Sequence, residues 1–178
     1  HSFPTRRSSD LIAAEYRRIL DNYAKITVGN TDFVQWQAHD FSFRGMAGVE
    51  ACMLSGAAHL LSFTGTDTIP AIYFLEKYYQ ANVEKEIVGS SVVATEHAIM
   101  MAGEKENERE TYRRLIEDVY PNGILSIVSD TWNLWNVLTE ILPSLKKSIM
   151  ARDGKIVVRP DSGDPVEIIC GVEYEDYT

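Results

Sequence analysis

The stretch VVRPDSGDP, Val157 to Pro165, sets an arginine and two carboxylates among Ser, Gly and Pro directly after an apolar run. Arg159 offers a planar, permanently charged fork for phosphate or carboxylate oxygens. Ser162 and Gly163 let a ligand approach the backbone, and a helix start with Asp164 as N-cap and Pro165 in its first turn adds free N–H groups. Asp161 can accept hydrogen bonds from sugar hydroxyls. Together these residues suit a sugar phosphate better than a plain anion. Taken alone, the motif has a plainer account as a helix-capping turn with Arg159 in an ion pair.

Four more clusters carry chemistry. HDFSFRG places Phe41 and Phe43 among His39, Asp40 and Arg44. An aromatic at a rim beside an arginine can clamp a flat heterocycle, although core aromatics are commoner, and Phe43 reads as packing. TGTDT puts Asp67 on a tight turn, where its carboxylate either caps a helix or accepts from an amide NH2. TEH brings Glu96 beside His97, and SD supplies Asp130 one strand later; a carboxylate that holds an imidazole in one tautomer is a recurrent catalytic arrangement. His59, deep in an apolar helical pattern, reads as structural.

These residues need a scaffold, and the apolar periodicity supplies one. Helical spacing runs from Leu11 to Lys25, from Met46 to His59, from Ile69 to Tyr79, from Lys105 to Val119 and from Trp132 to Met150. Between them Phe33 to Ala38, Leu60 to Phe63, Val92 to Ala94, Ile124 to Val128 and Lys155 to Val158 read as short strands. Strands separated by helices argue for an α/β fold with a parallel sheet and right-handed crossovers. Alternation does not separate an open doubly wound sheet from a closed barrel. Each cluster follows the carboxyl end of a strand, the edge where parallel α/β proteins bind ligands.

Composition narrows the function. Across 178 residues, 26 acidic against 17 basic side chains give a net charge of -9, which argues against a nonspecific hold on nucleic acid or an anionic membrane. Hydrophobic residues at 45% and charged residues at 24% are ordinary for a globular protein. Cys52 and Cys170 lack CxxC spacing and fit reduced thiols in a cytoplasm. No apolar run approaches a membrane span. His1 to Asp10 lacks periodicity and is set apart as an extraneous or disordered leader, leaving 11–178 as a partial catalytic domain; the chain reads as a fragment.

In order and spacing, HDFSFRG, GAAHLLSFTGTDT, ATEH, SIVSD and VVRPDSGDP resemble the central part of the nicotinamide phosphoribosyltransferases, in the type II nicotinate/nicotinamide phosphoribosyltransferase family. The resemblance runs from about Leu11 to Gly171. It implies a partial, irregular β/α barrel and a homodimeric enzyme that joins nicotinamide to phosphoribosyl pyrophosphate, giving nicotinamide mononucleotide and pyrophosphate in NAD salvage. It also implies Mg2+ at the pyrophosphate and ATP hydrolysis through a phosphohistidine. By the same resemblance Phe41 stacks on the pyridine ring, Asp67 binds its carboxamide, and Arg44 and Arg159 hold the phosphoribosyl and pyrophosphate groups. His97 is the phosphorylated residue, with Asp130 orienting it and Glu96 beside it. Asp161 lies against the ribose, and Ser91, Val92 and Ser126 line a channel.

The family's second ring-clamping aromatic, from the partner subunit, and its glycine-rich 5'-phosphate loop have no counterpart in this sequence, so the isolated chain is expected to be inactive. Three other readings compete. A nicotinate phosphoribosyltransferase would share the fold, but Asp67 repels a carboxylate substrate. A metal-dependent barrel hydrolase would use His39, Asp40, His97, Asp130 and Asp161, yet the usual close histidine pair after the first strand is absent. A non-catalytic descendant of the enzyme is the third.

Overall fold

The computed structural model describes the backbone of residues 4–171 and the side chains of residues 10–171. It is a mixed α/β chain in which parallel strands alternate with helices. It divides into two compact units, His1–Ser91 and Val92–Thr178.

The first unit runs through α1 (Pro4–Thr27), a 3-10 turn at Val34–Trp36, β1 (His39–Asp40), a second 3-10 turn at Ser42–Gly45, α2 (Val49–Leu60), β2 (Gly65–Thr66) and α3 (Ile69–Tyr79). β1 and β2 pair in parallel, with His39 opposite Gly65 and Asp40 opposite Thr66. Ser90 bridges to the other side of Gly65, with Thr66 N–H donating to its carbonyl at 2.9 Å. A small core of Ala24, Val34 and Phe63, flanked by Leu20, Phe33 and Ala38, closes α1 over the start of the sheet. Arg17 fastens α1 further by donating to the Ser62 carbonyl at 2.8 Å.

Two strands differ from the sequence reading. Phe33 to Ala38 is not a strand: its backbone turns, with Trp36 N–H donating to Phe33 O and Gln37 N–H to Val34 O, and pairing begins at His39. Leu60 is the last residue of α2, and the second strand is Gly65–Thr66 instead of Leu60 to Phe63. The true strands are short and polar, so propensity hides them; they are set by close backbone approach. A Cβ on Gly65 would lie 2.8 Å from His39 Nδ1 and 2.9 Å from the Ala38 carbonyl, so only glycine lets β2 lie this close.

Helix α1 begins at Pro4 and so enters the segment set apart on sequence grounds. Propagating an existing helix requires no apolar stripe of its own, which is why periodicity gave no sign of it. Residues 1–3 and the terminal VEYEDYT, 172–178, lie outside the described residues.

The second unit comprises β3 (Val93–Ala94), α4 (His97–Met101), α5 (Glu108–Arg114) with a π turn at Leu115–Val119, β4 (Gly123–Val128), α6 (Leu134–Asn136), a π turn at Val137–Ile141, α7 (Leu142–Ser144), α8 (Lys146–Ala151), β5 (Gly154–Arg159) and α9 (Pro165–Cys170). Its strands lie parallel in the order β3-β4-β5. Leu125, Ser126, Ile127 and Val128 are all buried, as a central strand covered on both faces requires. Around them Met100, Tyr112, Leu115, Ile116, Val137, Ile141 and Leu145 form the main core. Gly154 must be glycine: a Cβ there would stand 2.0 Å from the Gly123 carbonyl, and its φ is +144°.

The single helix expected from Trp132 to Met150 is broken. Pro143 has no N–H to give the preceding turn, and Leu142 N–H instead reaches back five residues to Val137 O, making the π turn. The expected last strand and the helix start after Asp164 are present: the Asp164 carboxylate accepts from Val166 N–H at 2.8 Å and Glu167 N–H at 3.1 Å, with Pro165 in the first turn.

Candidate active site

In the first unit two residues expected from the sequence to meet a ligand sit one step beyond the paired strands. Phe41 follows β1 and Asp67 follows β2. The Asp40 carboxylate accepts from Ser42 N–H at 2.9 Å, an Asx turn that starts the 3-10 segment carrying Phe43 and Arg44. Burial raises the Asp40 pKa, but Ser42, Thr68 and the nearby His59 together outweigh it and hold the carboxyl below its usual range. Phe41, Phe43, Arg44 and Asp67 line a concavity of about 310 Å³. Phe43, read as core packing, is instead exposed and lines this concavity beside Phe41.

Asp67 does not cap α3. The N-cap residue is Thr68, and no side chain makes a capping hydrogen bond there. Ser91 Oγ donates to Asp67 Oδ1 at 2.5 Å, and His39 Nε2 lies 2.9 Å from the same oxygen. The His39 ring also sits 4.4 Å from the Phe41 ring, tilted by 31°. Sequence reasoning considered His39 only as a metal ligand; its partnership with Asp67 bridges a separation of 28 residues that no local motif reveals. His59 is structural, as expected. Its Nε2 lies 3.0 Å from the Gly65 carbonyl, its ring stacks on Phe63, and burial lowers its pKa.

In the second unit His97 opens α4, directly after the N-cap Glu96, whose main-chain carbonyl accepts from Ile99 and Met100 N–H. Thr131 Oγ1 is 3.1 Å from His97 Nδ1. On the other side, His97 Nε2 is 3.4 Å from Asp161 Oδ2 and 4.0 Å from Asp130 Oδ1. Asp130 thus faces the histidine, while Asp161 is its nearer carboxylate. Thr131, which directly follows the SD motif, was missed by sequence reasoning because the motif was read only as far as Asp130.

Asp130 also organises the last loop. Its Oδ2 accepts from Asp161 N–H at 2.8 Å and from Ser162 Oγ at 2.5 Å. Burial raises its pKa, yet these donors and the nearby His97 charge leave the carboxyl below its ordinary value. Its Oδ1 is buried and makes no hydrogen bond among the described residues. Arg159 donates to the Thr95 carbonyl across the strand ends. Beyond it, Pro160, Asp161, Ser162, Gly163 and Pro165 help to line a cavity of about 290 Å³.

Val92 is exposed just before β3, whereas Ser126 is buried in the middle of β4, in register with Ala94 and Val157. Among the described residues no group of three or more His, Cys, Asp or Glu is disposed to hold a metal ion. His39 and Asp40, two ligands of the hydrolase alternative, face Asp67 and Ser42 instead. Nor is any helix among the described residues long and apolar enough to cross a membrane.

The nicotinamide phosphoribosyltransferase of Acinetobacter baylyi is 52% identical over 166 residues, covering 90% of this chain and 32% of that protein. The Mycoplasma pneumoniae protein of the same name is 37% identical over 89% of this chain and 32% of its own length, and that of Mycoplasma genitalium 34% identical over 95% and 34%. The chain therefore spans about a third of the length of these relatives. A model of the nicotinate phosphoribosyltransferase (NAPRTase) family matches residues 36–177. With that match extending over most of its length, the chain belongs to the nicotinate phosphoribosyltransferase family.

Proposed function

We propose that the full-length protein carrying this chain transfers the phosphoribosyl group of phosphoribosyl pyrophosphate to nicotinamide, releasing nicotinamide mononucleotide and pyrophosphate in NAD salvage. The observation that carries this reading is Asp67. Its carboxylate lines a concavity walled by Phe41 and Phe43, with Arg44 at the rim, and both donors that hold it converge on one oxygen. The second oxygen makes no hydrogen bond among the described residues and is available to an amide NH2, whereas a nicotinate carboxylate would meet a like charge.

The second unit supplies groups suited to the phosphates. Loss of pyrophosphate leaves an oxocarbenium-like sugar and concentrates negative charge on the leaving group. Arg159 and the backbone of the RPDSGD loop provide fixed donors there. The residues present fit Mg2+ that arrives with pyrophosphate, because that ion usually takes one or two carboxylates and completes its shell with phosphate oxygens and water. Asp130, with its undonated Oδ1, and the exposed Asp161 would be those carboxylates. Held there, such an ion would offer positive charge to offset that of the leaving group. His97, oriented by Thr131 on one nitrogen and carboxylates on the other, is the residue we assign to phosphorylation by ATP, with Glu96 beside it. Asp161 is assigned to the ribose, and Ser91, Val92 and Ser126 to the channel wall.

The proposal extends to an irregular β/α barrel of the type II phosphoribosyltransferase kind, a homodimer and a cytoplasmic location. In support stand the parallel strands, the relatives' printed names and the two free cysteines. Full-length protein given phosphoribosyl pyrophosphate, Mg2+ and ATP, with nicotinamide or nicotinate in parallel, tests it by mass identification of the mononucleotide. Turnover of nicotinamide alone is expected. Turnover of nicotinate alone overturns the substrate, and no turnover of either overturns the activity.

A further inference from the structure

Asp67 can read an amide only if its carboxylate is held in one rotamer. We propose that His39 is the positioning residue that does this, and that it couples the amide-reading carboxylate to the ring-stacking aromatic; this rests on the function proposed above. Three contacts converge on the imidazole. Nε2 lies 2.9 Å from Asp67 Oδ1. One face lies against Phe41, ring centroids 4.4 Å apart. On the remaining side Nδ1 is packed over Gly65, close enough that a Cβ there would lie 2.8 Å away.

The ring is therefore clamped, and its Nε2–H is aimed. A carboxylate accepts that hydrogen, so Nε2 carries the donor in the neutral imidazole and Nδ1 keeps its lone pair. Ser91 Oγ donates to the same Oδ1 at 2.5 Å. With both donors on Oδ1, the carboxylate is fixed about its χ2 torsion and Oδ2 is left toward substrate. A carboxylate is a pure acceptor, which welcomes NH2 and rejects a second carboxylate. Because the same imidazole leans on Phe41, loss of the ring would loosen the stacking aromatic as well.

The consequence is a split between two functions of one side chain. A phenylalanine at position 39 keeps an aromatic against Phe41 but gives Asp67 no donor; a glutamine keeps an N–H near the Nε2 position but gives Phe41 no ring. In the full-length protein, His39→Phe is expected to raise KM for nicotinamide roughly tenfold, the scale of one hydrogen bond to a charged group. It should leave kcat within about threefold and narrow the preference for nicotinamide over nicotinate by a similar tenfold factor. His39→Gln should recover most of that preference. A merely structural histidine would instead lower stability and kcat without moving the ratio of amide to acid turnover.

A measurement on the wild type does not depend on any variant folding. In protein labelled with nitrogen-15 histidine, the His39 resonances should report the Nε2–H tautomer and shift on addition of nicotinamide, with a smaller change for nicotinate. Wild-type turnover of nicotinamide with an unchanged substrate ratio in His39→Phe overturns the role of His39 alone. So does an Nδ1–H tautomer. A wild type that turns over neither pyridine overturns the proposed function, and the role of His39 with it.

Discussion

At the scale of single residues, the Asp67 carboxylate, proposed above to read an amide, carries the sharpest prediction. In Asp67→Asn the amide oxygen can still accept from His39 and Ser91, so the local geometry survives. The group facing the substrate, however, becomes a donor instead of an anion. The full-length variant is expected to lose roughly 10- to 100-fold of its preference for nicotinamide over nicotinate, the worth of one charged hydrogen bond together with the removed like-charge repulsion. Parallel kcat/KM measurements on the two pyridines check this. An unchanged ratio would remove Asp67 from substrate selection.

At the scale of elements, two joints hold strands to their neighbours. His59 ties the end of α2 to β2 through the Gly65 carbonyl, and burial lowers its pKa below the ordinary 6.5. The unfolded chain therefore takes up this proton first. The stabilisation is complete above pH 6.5 and is lost as pH falls through the lowered folded-state pKa. His59→Gln retains a donor for Gly65 and abolishes the titration, so its denaturation midpoint should fall less than the wild type's between about pH 7.5 and 5.5.

The second joint is the start of β4 and β5. Gly154→Ala drives a methyl into the Gly123 carbonyl and is expected to cost about 2–4 kcal/mol of stability. Gly123→Ala has a φ of +77° but nothing within 4 Å of its new Cβ, and should cost only the left-handed strain of about 1–2 kcal/mol. Equal losses in denaturant unfolding of the two variants would refute the close-approach argument.

At the scale of the whole molecule, the described residues expose large apolar side chains and strand edges. Among the described residues its strands form sheets of two and three, in which β1, β3 and β5 each pair on one side, while β2 also takes the bridge from Ser90. Large apolar side chains on α1, among them Leu11, Ile12, Tyr16 and Tyr23, are exposed, as are Val92 and Val93 at β3. Apolar patches and strand edges of this kind favour association. The purified 178-residue chain is expected to form no nicotinamide mononucleotide and to give particles larger than a dimer in light scattering. Product formation by the isolated chain would show that the site is complete within it.

The sequence by itself determined the α/β alternation, the β4 and β5 strands, the capped start of α9 and the motifs that carry the family. Those features are local: a buried apolar run, an Asp followed by Pro, or a fixed order of polar clusters states its own physics within a few residues. Tertiary structure alone decided where β1 and β2 lie, because His39–Asp40 and Gly65–Thr66 are polar and owe their strand geometry to a glycine that lets two backbones approach. It also turned Phe43 outward, freed Asp67 from capping, and set His39 against it across 28 positions. A hydrogen bond between distant side chains depends on the register of the strands that carry them, and register is a property of the folded sheet.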